Sequence, residues 1–505
     1  MTIRQEKPRM KRYRPLVTLF AVILMTLAPA LLPAQSQEPN HVREVTLDEA
    51  IQEALDNNHR RPASRFAVAI AEAQHRQALA AYWPQLSAKV EWLRLDEDLN
   101  FIVPESTYTI PLQSIPLAPG TSITLNTPAG PQKVTQIAIP EHQITTPLQE
   151  LKLRDKESVL TSLHTQWMLY DGGRRKGYDE QARAQLHMMQ QEARRTDLEI
   201  IDSVKRYYYG TVLARQIHQI GADTLARMEM TLNLTETMYK EGSSQVKKTD
   251  WMSTRVRVES LRSMLTLLEK NKLMAQASLA NVMGLPWHVS VCARDQSIPF
   301  EPFAVPLENL VSTAYQFSPD WAKMEAGIRA AQGAVRTATS GHLPQLALTG
   351  RLYKWWNDLT TGQATDANKE GWSVGVHIEI PLFDGYFTSA KVAASRAKVA
   401  RLKEQQILLQ EGLGLQVRDI FLSLAMTAKA HQANKAAMKA SIDNRELTIR
   451  AYQHGLVETE DVIRAQIMEA IMSIRHYKAL FNHIAQQSQL DLIVGTHVLD
   501  VLGGK

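Results

Sequence analysis

From Leu47 to Tyr82 and again from Leu307 to His342, Ala, Leu, Ile and Val recur at helical spacing behind an acidic first turn (Asp48 and Glu49; Glu308). The pattern predicts one helix in each segment. Pro84 and Pro344 end it, since proline lacks the N–H that a helix interior needs. Beyond each proline the period drops to two. Leu86, Ala88, Val90 and Trp92 alternate with Ser87, Lys89 and Glu91; Leu346, Leu348 and Leu352 alternate with Thr349 and Arg351. Trp372, Val374, Val376, Ile378, Ile380 and Leu382 stand against Ser373, Gly375, His377 and Glu379, and Val159, Leu163, Trp167 and Leu169 against Ser158, Ser162, His164 and Gln166. Four strands of about ten residues are expected, the length a tilted membrane strand requires. The period alone fits a soluble sheet as well. Aromatics at the strand ends (Tyr82, Trp83, Trp167, Tyr170, Trp355, Trp356, Trp372, Phe383) favour interfacial girdles. Four strands cannot close a barrel, whereas three chains would supply twelve.

Two proline-free stretches follow, Arg174 to Met238 and Thr388 to Ala451. As helices each would be roughly 95 Å long, too long for one compact domain. Ala390, Ala393, Ala394, Ala397 and Ala400 permit close helix contact. Each stretch ends at a glycine turn, Tyr239-Lys-Glu-Gly242 or Tyr452-Gln-His-Gly455, and a return helix follows, Asp250 to Met283 or Asp461 to Val494.

The unit occurs twice. Val45 to Leu86 lies over Val305 to Leu346 without a gap, at an offset of 344 − 84 = 260. From Leu169-Tyr-Asp-Gly172 over Leu382-Phe-Asp-Gly385 to Gly242 over Gly455, the offset is 382 − 169 = 213. The difference, 47, is an insertion in the first copy, accommodated in the Pro- and Thr-rich stretch of about 96–156, read as a loop outside the cell. The expected fold class is mainly α with a small β-barrel portion, a duplicated helix-strand-strand-long helix-helix unit. The expected divisions are a signal peptide at 1–34, a first repeat at 35–300, a second at 301–495 and a C-terminal tail at 496–505.

The element order, the duplicated junctions at Asp171-Gly172 and Asp384-Gly385 (with Pro84 and Pro344 opposite them), and the Tyr452-x-x-Gly455-x-x-x-x-x-Asp461 turn together resemble the TolC outer-membrane efflux protein family. The resemblance implies a homotrimer whose twelve-strand outer-membrane barrel continues as a periplasmic helical barrel. It implies a mouth opened by docking with a periplasmic adaptor (membrane fusion) protein and an inner-membrane pump of RND, ABC or MFS type. By position in the turns, Asp461 matches a ring aspartate at the mouth, Tyr452 a tethering tyrosine and Asp250 the acid it reaches, with Gly242 and Gly455 shaping the turns. This chain departs from the pattern where Arg464 replaces a second ring acid and Val457 a tethering arginine. Read without the family, three copies of Asp461 near a threefold axis would attract cations, while Asp250 and Asp461 also suit helix capping.

Composition narrows the rest. Arg9, Lys11, Arg12 and Arg14 precede an apolar run from Leu16 to Leu27 and small residues around Ala28, Ala30 and Ala34, which reads as an export leader too short to span a bilayer. The formal charge of +5 resides in that leader, so the remainder is near neutral, and no basic face for nucleic acid is expected. The one cysteine, Cys292, cannot form an intramolecular disulfide. Phosphate loops, His-Glu-x-x-His, Cys-x-x-Cys pairs and nucleophile elbows are absent from the sequence, so no catalytic, cofactor or metal residues are assigned. His476 and His483, a heptad apart, are expected on a solvated or interfacial helix face. The favoured reading is a passive exit duct lodged in outer-membrane lipid, for small molecules or polypeptides in efflux or type I secretion; a soluble periplasmic coiled-coil scaffold is the alternative.

Overall fold

The computed structural model describes residues 42–243, 246–356 and 368–502, and the expected leader lies outside them. The first repeat runs β1 (Arg43–Val45), α1 (Leu47–Asn57), α2 (Arg60–Ala80), β2 (Gln85–Arg94), eight short strands of the insertion, β11 (Glu157–Tyr170), α3 (Arg174–Lys240) and α4 (Lys248–Val282). The eight are β3 (Leu99–Val103), β4 (Ser106–Ile110), β5 (Gln113–Pro116), β6 (Ile123–Thr127), β7 (Gly130–Val134), β8 (Gln136–Ile139), β9 (His142–Thr146) and β10 (Gln149–Arg154). A linking strand, β12 (Val291–Ala293), precedes α5 (Leu307–Phe317), α6 (Pro319–Thr339), β13 (Gln345–Trp356), β14 (Glu370–Glu379), α7 (Phe387–Gln453), α8 (Thr459–Val494) and α9 (Val498–Leu502).

The long helices α3 and α7 are 67 residues each, or roughly 100 Å at helical rise. Each folds back against its return helix, and the two hairpins are bound by contacts between α3 and α8. Among the described residues no helix is long and apolar enough to cross a membrane.

Each opening segment is two helices, where one was expected. Asn58 is extended and buried between α1 and α2; its amide donates to the Val282 carbonyl at 2.8 Å while its side-chain oxygen accepts from the Arg60 N–H at 3.0 Å. In the second repeat Ser318 breaks the chain in the same way and Pro319 starts α6. Both breaks receive the glycine that ends the return helix. A Cβ on Gly284 would lie 2.5 Å from the Asn57 carbonyl oxygen, and one on Gly495 2.3 Å from that of Phe317, so no larger residue fits either place. The two waist cores repeat likewise. Val45, Ala54, Val204 and Leu279 pack in one, and Val305, Ala314, Val417 and Leu490 occupy the equivalent positions in the other.

The anticipated tail is partly structured. Val498 is buried against the second core and its N–H donates to Asp491 at 2.9 Å. His476 and His483 are buried as well, not solvated, because α7 and the 294–306 connection cover that side of α8.

The four principal strands form one antiparallel sheet in the order β14-β13-β11-β2. Register aligns Trp92 with Val159, Leu163 with Leu352 and Leu352 with Trp372, giving one continuous apolar face. Val90, Trp92, Trp372, Val374, Val376 and Ile378 are each more than 60% exposed in a single chain, so this face has no partner among the described residues. The opposite face carries Ser87, His164, Arg351 and Ser373 in one row. The strands β2 and β14 are the outer edges.

The insertion is a ribbon, not a loop. It pairs β3 with β10, β4 with β9, β5 with β8 and β6 with β7, all antiparallel. Pro104, Pro111, Pro140 and Pro147 fall between the paired segments, where no ladder N–H is lost.

Candidate channel entrance and barrel junctions

Where β11 becomes α3, Asp171 is buried and its carboxylate accepts from the Gly173 and Arg175 N–H groups at 3.1 and 2.8 Å. Arg175 closes the corner: its Nε reaches the same carboxylate at 3.0 Å, its other nitrogens reach the Met168 and Leu169 carbonyls, and its guanidinium lies over the Tyr82 ring. Negative charge at a helix start is stabilised by the exposed N–H groups there. The second junction is simpler. Asp384 accepts from the Thr388 N–H at 2.9 Å, and its bonds to Thr388 hold the carboxyl below the usual range. Gly172 and Gly385 both have positive φ, but the next position differs: Gly173 at φ 88° is answered by Tyr386 at φ 65°. A tyrosine there carries strain that glycine does not. Pro84 and Pro344 lie one residue before β2 and β13, at the same end of the sheet as these junctions.

At the far end of the long helices the turns are built by Gly242 (φ 78°) and Gly455 (φ 68°), with the Ser243 N–H donating to the Met238 carbonyl and the Leu456 N–H to that of Ala451, both at 3.0 Å. Asp250 and Asp461 are not the capping residues themselves. They sit three positions into α4 and α8 and reach back, Asp250 accepting from the Lys247 N–H at 2.9 Å and Asp461 from the Glu458 N–H at 3.3 Å.

The structure does not bring Tyr452 to Asp250. The Tyr452 hydroxyl, buried, lies 2.9 Å from the Thr459 hydroxyl and 3.7 Å from the Met238 sulfur, so it spans its own turn and touches the end of α3. Arg464 lies 3.5 Å from Glu460 and 3.8 Å from Asp461, placing a cation beside the proposed ring acid.

Sequence reasoning missed the contacts that join the hairpins. Arg257 on α4 meets Glu460 on α8 at 3.0 Å, and hydrogen bonding to Arg257, then to Arg464, holds the Glu460 carboxyl below its usual range. Farther along, Glu469 of α8 receives Arg227 of α3 at 3.1 Å and Arg445 of α7 at 2.7 Å, so one carboxylate links three helices. Between these pairs Gln466 donates to Thr231 at 3.2 Å beside an apolar cluster of Leu225, Met228, Val258 and Ile463. Nothing in local spacing marks these partners, since Arg257 and Glu460 are 203 residues apart. Among the described residues no group of three or more His, Cys, Asp or Glu could hold a metal.

Known proteins share this architecture. The chain is 25% identical over 306 residues to protein CyaE of Bordetella pertussis, a match spanning 59% of this chain and 63% of CyaE. In fold it is similar to the CmeC outer membrane channel of Campylobacter jejuni (TM-score 0.69, 12% identity, 92% of this chain and 90% of that one). It is also similar to the open-state MtrE outer membrane channel of Neisseria gonorrhoeae (TM-score 0.65, 14% identity, 92% and 94%). A sequence model described as outer membrane efflux protein matches residues 50–285 and 310–496, nearly all of both repeats, and the chain therefore belongs to the outer membrane efflux protein family.

Proposed function

We propose that three copies of this chain close a twelve-strand barrel in the outer membrane and continue it as a helical conduit through the periplasm, a passive exit duct for small molecules or polypeptides. One observation carries the reading: among the described residues the sheet has two unpaired edges, β2 and β14, and an apolar face that no other element covers. Open edges are not tolerated in lipid, so the sheet must close with copies of itself. β2 and β14 run in opposite senses, so joining β14 of one copy to β2 of the next keeps every pairing antiparallel, and three copies give 3 × 4 = 12 strands.

The helix turns then form the inner mouth. Asp461 faces the mouth with Arg464 beside it, which makes the ring less anionic than aspartate alone would be. The pair Arg257–Glu460 and the bond Tyr452–Thr459 hold the hairpins in the resting arrangement. A periplasmic adaptor and an energised inner-membrane pump supply the work of opening, while this chain does no chemistry on its cargo.

The test is purification in detergent with mass determination. A trimer is expected, and Val376→Arg combined with Ile378→Arg should block its assembly in membranes, since a cation on the lipid face costs about 2–4 kcal/mol at mid-barrel and less toward the strand ends. A stable monomer without detergent would overturn the reading.

A further inference from the structure

The two faces of the four-stranded sheet differ in burial. Ser158, Leu160 and Ser162 of β11 are buried on the polar side, whereas Leu163 on the other side is exposed. The sheet is therefore hollowed toward its polar face, which becomes the lumen wall once the barrel closes.

Arg351 stands near the middle of that wall. Register sets His164 directly across from it on β11 and Ser373 on β14, with Ser87 beyond His164. Its guanidinium lies 5.4 Å from the centre of the Tyr353 ring, and its buried Nε has no hydrogen-bond partner among the described residues. The ring holds the cation in place without neutralising it. The two flanking inward rows add Lys89 and no carboxylate. Glu91 lies one inward row farther out and already faces Lys89 at 3.9 Å. Toward the helices the first inward acid is Glu379, which stands 379 − 373 = 6 residues along β14 from Ser373, roughly 20 Å at strand rise.

We propose that in the closed barrel three Arg351 side chains form a cationic belt inside the outer-membrane lumen, which favours small anionic solutes over cations. The inference rests on the trimeric reading given above, since threefold symmetry is what brings the three copies to one level. Rings of arginine or lysine select anions in pores, and lumen-facing positions of barrels tune selectivity. A charge kept for the fold's sake is ordinarily paired. Arg351 instead faces a wall whose acids are either engaged by Lys89 or distant. Because arginine stays protonated throughout the physiological range, the belt keeps its charge at every working pH.

The experiment reads the potential at the belt directly. Ser373→Cys on a Cys292→Ser background places one thiol per chain beside Arg351. Its rates of modification in proteoliposomes by an anionic, sulfonate-bearing methanethiosulfonate and by a cationic, trimethylammonium-bearing one are compared, each relative to a free thiol in solution. The anionic-to-cationic ratio should be roughly fivefold or more at low salt and should fall toward one in 1 M salt, where the screening length is about 3 Å. Arg351→Gln should lower the ratio about threefold or more, while Arg351→Lys should preserve it. A ratio at or below one in the parent, or an equal fall in both variants, overturns the belt. Should Arg351→Gln not assemble, His164→Glu, which sets a carboxylate opposite an intact Arg351, must bring about the same fall, and an unchanged ratio there overturns the belt as well. Val374→Cys, on the lipid face, separates the two readings. If it is shielded from both reagents while Ser373→Cys shows no anionic preference, the belt alone fails; if it reacts as freely as Ser373→Cys, water bathes both faces of the sheet, and the duct reading fails with the belt.

Discussion

The hydroxyl of Tyr452 lies 2.9 Å from that of Thr459, closing the α7–α8 turn within one chain. If this bond restrains the mouth, Tyr452→Phe and Thr459→Val should each raise single-channel conductance in planar bilayers, and to a similar degree. Asp250→Asn, which touches only the start of α4, should leave conductance near the parent value. An Asp250→Asn effect equal to that of Tyr452→Phe would restore the contact this chain does not make.

The Arg257–Glu460 pair is the other proposed restraint, and both side chains are solvent-exposed. Exposed pairs add little to stability, on the order of 1 kcal/mol or less, so Arg257→Ala should leave the melting temperature almost unchanged. Conductance should rise several-fold, and Glu460→Gln should reproduce it. Raising salt should narrow the difference from the parent, because screening weakens the parent's own pair. Unaltered conductance in both variants removes the pair from the gate.

Two buried histidines, His431 and His476, predict a pH response. Both lie in a buried ring cluster: Phe300 is stacked on His431 at 4.4 Å and tilted against His483 at 4.8 Å, and His476 lies 5.1 Å from His431. Burial first, then the charge of Lys435 and neighbouring histidines, pushes His431 and His476 down from the ordinary value. A depressed histidine is neutral when folded, so its contribution is complete above about 6.5 and is lost as pH falls below that, where the unfolded chain takes up protons first. Thermal stability should therefore drop between pH 7.5 and 5.5. Replacing His431 and His476 together with Gln should flatten that slope.

The junctions differ in tolerance. A Cβ on Gly172 would lie 2.6 Å from the Leu343 Cβ, whereas one on Gly385 meets nothing within 4 Å. Gly172→Ala should thus cost more than Gly385→Ala, roughly 2–3 kcal/mol against about 1. Tyr386→Gly should relieve about 1 kcal/mol of backbone strain, read as a higher melting temperature of the detergent-solubilised protein. A fall instead would mean that the ring's contact with Phe383, 5.5 Å away, outweighs the strain.

Strand, long-helix and turn positions were legible because each rests on a local period or on punctuation by proline and glycine. The break at Asn58 was not legible, since it depends on a carbonyl 224 residues away; its counterpart at Ser318 was missed too, although Pro319 marks it in the sequence. The ribbon was concealed by prolines that read as loop until their spacing between paired segments is seen. At the turns of the long helices, Asp250 and Asp461 could be placed in the first turn from sequence, but Glu469 with Arg227 and Arg445 could not, because three helices converge on it from distant parts of the chain.

The parallel pairing of β1 with β12 sets Arg43 opposite Val291, a separation of 291 − 43 = 248 residues. Contacts between remote segments form slowly, since a long loop must close before they repay its entropy. The earliest ordered strand must therefore wait, unpaired, until the whole first hairpin and its ribbon have been delivered across the inner membrane. A chain stalled before residue 291 leaves its opening strand without its β12 partner, bare to protease and to other nascent chains.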